Sequence, residues 1–279
     1  MFKKLGLIML CLVFTSSFVM ASPVNLPTGI KGQEGFGVEK DSGTMFGEEE
    51  CQVIKDLRDN IGLSGGFLND YVGERDLNKY SGKASFDMVG GIIDMSIMKR
   101  FDVYTMLGST LNSNVKGSEL GHTAELDLKD SFMWGVGADA IIYDWKDAGV
   151  QFFGDGNYRE SSSMKLDSLT IDGTTVSSSQ LAAAGVNSSA KWEEWQAALG
   201  VSKKFQYVIP YGGVVYSDVR TSDKVTYSGI TYNSETLSSR YKVGPFVGVS
   251  ILPTKWLSID ITGRFVAEEA VSAAVTLKF

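Results

Sequence analysis

Cysteine, proline and histidine are all scarce in this chain: two, five and one residues respectively among 279. So few cysteines exclude a small scaffold held by several disulfides. Scarce proline leaves room for long uninterrupted strands, and abundant glycine (31 residues) suits crowded sheet faces. No second apolar run approaches the ~20 residues of a helical membrane span once the N-terminal run is set aside. Positive charge is also in deficit, with a formal net charge of -7. Nucleic acid, whose phosphates demand a basic surface, is excluded as a partner.

The N-terminus explains where the chain goes. Lys3 and Lys4 precede an apolar run from Leu5 to Val13, and small residues follow toward Val19-Met20-Ala21. This is the pattern of a secretory signal peptide over residues 1–21, cut after Ala21. Bulky Leu10 before Cys11 counts against a lipid-attachment site. Loss of Lys3 and Lys4 with the leader lowers the charge by two further units. Cys51 is then the sole cysteine, free, buried, or in an intermolecular disulfide with one partner chain. Residues 22–59 read as a periplasmic segment or plug, with Val53, Ile54 and Leu57 at helical spacing.

From residue 60 to 279 the pattern changes to period two. Val271, Ala273, Val275, Leu277 and Phe279 alternate with Ser272, Ala274, Thr276 and Lys278. Leu257, Ile259, Ile261, Gly263 and Phe265 alternate with Ser258, Asp260, Thr262 and Arg264. Such strands have one apolar and one polar face. Ten are expected, near 61–73, 84–97, 101–113, 130–143, 148–163, 190–203, 206–220, 239–252, 255–266 and 270–279. Short turns at 98–100, 144–147, 203–205 and 252–254 alternate with long polar connections at 74–83, 114–129, 164–189 and 221–238. Only Ala267-Glu268-Glu269 is brief on the second side.

An all-β fold follows: a transmembrane antiparallel up-and-down β-barrel of about ten strands, in the bacterial outer membrane. Short turns face the periplasm and longer loops the exterior. A count of twelve stays open, through a hairpin over Asp223–Thr236 or pairing by residues 30–47. Gly90-Gly91 and Gly212-Gly213 are expected to form bulges that shift the phase of their strands.

The faces follow from the alternation. Phe132, Trp134, Val136, Ala138, Ala140 and Ile142 face lipid, as do Phe152, Tyr158, Trp195, Ala197, Leu199 and Val201. Tyr143, Trp145, Phe205, Tyr207, Trp256 and Phe279 gather beside the short turns as an aromatic girdle. The expected pore-lining charges are Asp102, Asp139, Asp155, Arg159, Glu194, Asp260, Arg264 and Lys278. Carboxylates outnumber bases among them, which implies mild cation preference.

Several blocks carry a family resemblance: KRFDVYTMLGST (99–110), FMWGVGADAIIY (132–143), EEWQAALGVS (193–202) and VIPYGGVVYS (208–217). With SPVNLPTGIKGQEGFG (22–37) and the ending from Ala267 to Phe279, they resemble the chlamydial major outer membrane proteins, in the same order. The resemblance implies an abundant, commonly trimeric β-barrel porin that passes small solutes. A terminal aromatic such as Phe279 also resembles the signal read by the outer-membrane assembly machinery. Family members are typically cysteine-rich, so cross-linking into an envelope network is not carried over to this chain.

Sites for chemistry are few, and neither a catalytic residue nor a cofactor is expected. His122 falls in an expected loop beside Ser118, Glu119 and Thr123, without the arrangement a triad needs. Gly135–Ala140 spells a dinucleotide fingerprint, but Ile141, Ile142 and Tyr143 continue the strand where a helix is required. Asn187-Ser188-Ser189 is a formal glycosylation sequon. Glu119, Glu125, Asp127 and Asp130 offer oxygens to divalent cations among surface lipids, though solvated loop charge is the commoner role. The expected function is passive diffusion of small hydrophilic solutes. The alternative is a closed structural or adhesin barrel acting through loops 164–189 and 221–238, and a membrane-embedded hydrolase lacks a nucleophile–base pair.

Overall fold

A computed structural model describes residues 61–279, apart from 79–80, 120, 228–229, 234–237 and 267. The expected leader, the 22–59 segment with Cys51, and pairing by residues 30–47 lie outside the described residues. Thirteen strands form one antiparallel sheet: β1 (Ile61–Asp76), β2 (Lys83–Ile97), β3 (Phe101–Glu119), β4 (His122–Leu128), β5 (Ser131–Trp145), β6 (Val150–Ile171), β7 (Thr174–Ser177), β8 (Val186–Lys203), β9 (Val208–Tyr227), β10 (Ile230–Asn233), β11 (Val243–Ile251), β12 (Leu257–Arg264) and β13 (Glu269–Lys278). A short helix, α1 (Ser178–Ala183), joins β7 to β8.

Ten strands close a ring in the order β1-β2-β3-β5-β6-β8-β9-β11-β12-β13, and β13 pairs back onto β1 from Ser64↔Lys278 to Glu74↔Glu269. These are the ten segments that the alternation predicts. Closure removes the unpaired edges an open sheet would expose, which a hydrocarbon environment does not tolerate. The expected hairpin near residues 223–236 does exist, but it is not part of the ring. β10 pairs with β9 alone, as an extension, so the ring formed by the described residues has ten strands.

The alternation sorts side chains between two environments. Along β8, Trp192 is 0% exposed and Trp195 is 61% exposed. Phe132, Val136, Ile142, Phe152, Leu199 and Val201 are exposed on the outer wall, as are Val271 and Val275. An unbroken exterior of this kind is a lipid-facing surface. Tyr143, Trp145, Phe205, Tyr207, Trp256 and Phe279 are exposed too, at the short-turn end where the girdle is expected. One of those turns, Met98-Lys99, has both residues at positive φ, the twist that matches a tight hairpin.

Two expectations about local geometry fail. Register runs unbroken through Gly90-Gly91 and through Gly212-Gly213, so neither pair is a bulge. These glycines instead allow close approach of backbones. A Cβ on Gly90 would lie 2.7 Å from Leu107 O and 3.0 Å from Gly108 Cα. The true register shifts fall at Val72/Arg75, Ser85/Asp87, Ile141/Tyr143 and Ser161/Met164 in the ring, and at Asp127/Leu128 between β4 and β6.

The long connections are also more ordered than loops. β6 runs for 22 residues and β9 for 20, where ~9–11 residues cross a bilayer. The wall therefore continues beyond the membrane, as the β3–β4, β6–β7 and β9–β10 hairpins. Asp172-Gly173, both at positive φ, make the two-residue turn between β6 and β7. Ser177 caps α1 in a reciprocal arrangement with Gln180.

Candidate functional site in the barrel lumen

All eight charges expected to line the pore point inward and are buried: Asp102, Asp139, Asp155, Arg159, Glu194, Asp260, Arg264 and Lys278. Four more join them: Asp70, Arg75, Asp94 and Glu268. Together they form two distinct groups and not one uniform lining.

The first group is a closed cycle of six alternating charges contributed by β1, β6, β8, β12 and the connection before β13. Arg75 meets Glu194 at 3.4 Å, and Glu194 meets Arg159 at 3.0 Å. Arg159 meets Asp70 at 3.6 Å, and Asp70 meets Arg264 at 2.5 Å. Arg264 meets Glu268 at 2.7 Å, and Glu268 returns to Arg75 at 3.2 Å. Each arginine touches two carboxylates and each carboxylate two arginines, so the cycle is neutral. Arg75 also donates to Ser217 Oγ at 2.8 Å, which in turn donates to Glu194. Arg264 donates to Ser272 Oγ at 3.3 Å, and the Arg159 guanidinium lies 5.6 Å from the Trp192 ring centre.

Local structure explains how the cycle assembles. Asp70 follows the inward phase of β1 through Leu68 and Val72. The register shift after Val72 then turns Arg75 inward, where strict alternation would have sent it out. Glu268 sits in the brief connection before β13, i+4 from Arg264, and folds back over the lumen. No charge of the cycle is more than 3% exposed.

Apolar layers flank it. Leu68, Val72, Phe86, Met88, Met106, Met133, Met164 and Trp192 pack in one cluster, with Arg159 Nη1 directed at Met88 Sδ at 2.9 Å. Phe153, Tyr211 and Phe246 form another, with ring centres 6.2–6.4 Å apart.

The second group is acidic and lies toward the short-turn end. Asp94, Asp102 and Asp139 stand on the neighbouring strands β2, β3 and β5, and one carboxylate oxygen from each lies within 4.8 Å of the other two. Register sets Ser96 opposite Asp102, Asp102 opposite Asp139, and Asp139 opposite Asp155. Asp155 is held separately, accepting from Tyr104 at 2.7 Å and from Asn157 at 3.1 Å. Asp260 accepts from Ser258 at 3.3 Å.

The remaining sequence candidates lie at the far end. His122 is on β4, and its Nδ1 pairs with Asp172 Oδ2 at 2.7 Å. Asp172 Oδ1 also accepts from the Thr123 amide at 2.9 Å. That bond and the imidazole hold its carboxyl below the usual aspartate range. Glu125 pairs with Lys116 at 2.9 Å, and Asp127 accepts from Asn114 and Ser168. Asp130 lines a surface cleft with Asn112, Ser113 and Asp167. Gly135–Ala140 lie within β5, so no helix follows the fingerprint.

No family model matches the chain, and no curated protein matches it. Among solved structures, it is similar to the outer membrane protease OmpT from Escherichia coli, at 11% identity and a TM-score of 0.44, over 79% of this chain and 95% of that one. It is similar to the outer membrane protein OprG from Pseudomonas aeruginosa at 14% identity and a TM-score of 0.39, over 79% and 95% of the two chains. The β domain of the Bordetella autotransporter BrkA matches at 10% identity and a TM-score of 0.44, over 79% and 100%.

Proposed function

We propose that this barrel is an outer-membrane channel for small ions and hydrophilic solutes, closed at rest by the six-charge cycle. The cycle itself carries the reading. Burying six charges costs desolvation that well-packed apolar residues of the same volume would avoid, so they are a poor choice for filler. Charges spaced across a membrane lumen are, by contrast, what sets passage and selectivity in channels. Breaking one arginine–carboxylate contact would leave a polar gap where a water or ion fits. The acidic group on the short-turn side supports cation preference. The porin role implied by the resemblance to the chlamydial major outer membrane proteins agrees with this reading, as does export by the expected leader.

A second reading, a closed barrel that acts through its surface hairpins, is favoured by the extension of β6 and β9 beyond the membrane and by the apolar layers around the cycle. Planar-bilayer recording separates the two. The channel reading expects small cation-selective steps from the wild type, and larger or more frequent ones from Arg264→Ala. Silence from both proteins, each confirmed folded by heat-modifiable migration, would leave the closed barrel.

A further inference from the structure

We propose that Asp94, Asp102 and Asp139 form a calcium-binding site inside the barrel, independent of whether the lumen conducts. One carboxylate oxygen from each lies within 4.8 Å of the other two, and Ca²⁺–O distances run at about 2.3–2.6 Å. Small side-chain rotations bring all three oxygens onto one such ion without moving the backbone. Magnesium, which demands a near-ideal octahedron and gives up its waters reluctantly, suits this three-strand carboxylate set less well.

A separate observation points into the same space. Ser96 is 3% exposed and its Oγ has no hydrogen-bond partner. It lies two residues from Asp94 on the same face and directly opposite Asp102. Ser64, opposite Asp94, is buried with its hydroxyl equally unpartnered. A buried hydroxyl without a partner is costly, and a cation with its waters would satisfy both. Hard oxygen donors of this kind, with no sulfur or imidazole, select calcium over zinc or copper. Asp155, engaged by Tyr104 and Asn157, buttresses Asp139 from the next strand.

Lys278 competes for the same place. Its side chain runs beside Gly62, which faces Ser96 across β1 and β2. Removing the ammonium should therefore tighten the site, an effect that surface binding would not show.

The test is calorimetric titration of the refolded mature protein, in detergent after exhaustive chelation, with calcium and separately with magnesium. The expected result is one calcium per chain, with magnesium at least tenfold weaker. Asp102→Asn and Asp139→Asn should each lose this event, and Lys278→Met should strengthen it severalfold. Asp167→Asn, on the outer surface, should leave it unchanged. If Asp102→Asn fails to refold, Ser96→Val with intact carboxylates serves instead, and should weaken binding severalfold. Unaltered calcium binding in these lumen variants, or its loss in Asp167→Asn, would overturn the proposal, as would a wild type that binds no calcium.

Discussion

At the scale of single residues, Arg264 shows how a member of the cycle is held. It bonds Asp70, Glu268 and Ser272 and stands at 0% exposure. Truncation to alanine strands two carboxylates in a buried site. Removing one partner of a buried ion pair typically costs about 3–5 kcal/mol. Urea unfolding of Arg264→Ala from lipid vesicles should show a loss of that order, with an unchanged denaturant slope. A loss near zero would mean that water already fills the lumen around the cycle. The sequence disclosed this residue, because β12 alternates without interruption from Leu257 to Arg264. Other lumen charges were harder to see. Arg75 is displaced by the register shift after Val72, and Glu268 looks like part of an ordinary turn. Asp94 was obscured because Gly90-Gly91 suggested a phase change that the backbone does not make. Phase errors are invisible to composition, since one inserted residue reverses every face beyond it.

At the scale of elements, the hairpins above the membrane behave as one continued wall, tied by Asp172. Its carboxylate joins the β6–β7 turn to Thr123 and His122 on β4. Because its folded pKa is depressed, the tie holds above an ordinary aspartate's ~3.9 and is lost as pH falls through the lower folded value. Carboxyl-carbon NMR should give Asp172 a midpoint below the ordinary aspartate range, shifted upward in His122→Ala. A normal midpoint in the wild type would show that the tie does not form in solution. Composition hid these strands: Ser, Thr and Gly over 164–189 read as loop, and a hairpin in water needs no apolar face to give it away. Asp172-Gly173 was nonetheless a legible turn signal, between the flanking Ile171 and Thr174. In the membrane the reverse holds. Lipid on one side and a packed lumen on the other enforce alternation, so all ten ring strands could be read, although β3, β6 and β9 run six, eight and seven residues past the expected ends.

At the scale of the whole molecule, everything depends on the ring turning adjacent faces of one strand to different media. Strand β8 tests this within a single turn of sequence. Trp192 is enclosed against Arg159, whereas Trp195 stands out on the wall beside Tyr158. Variants that keep only one of the five tryptophans, the rest replaced by phenylalanine, can be refolded into vesicles of brominated phospholipid. Their fluorescence reads contact with acyl chains directly. The Trp195 protein should be strongly quenched and the Trp192 protein nearly untouched; equal quenching, or stronger quenching of Trp192, would contradict the barrel and its charged interior together.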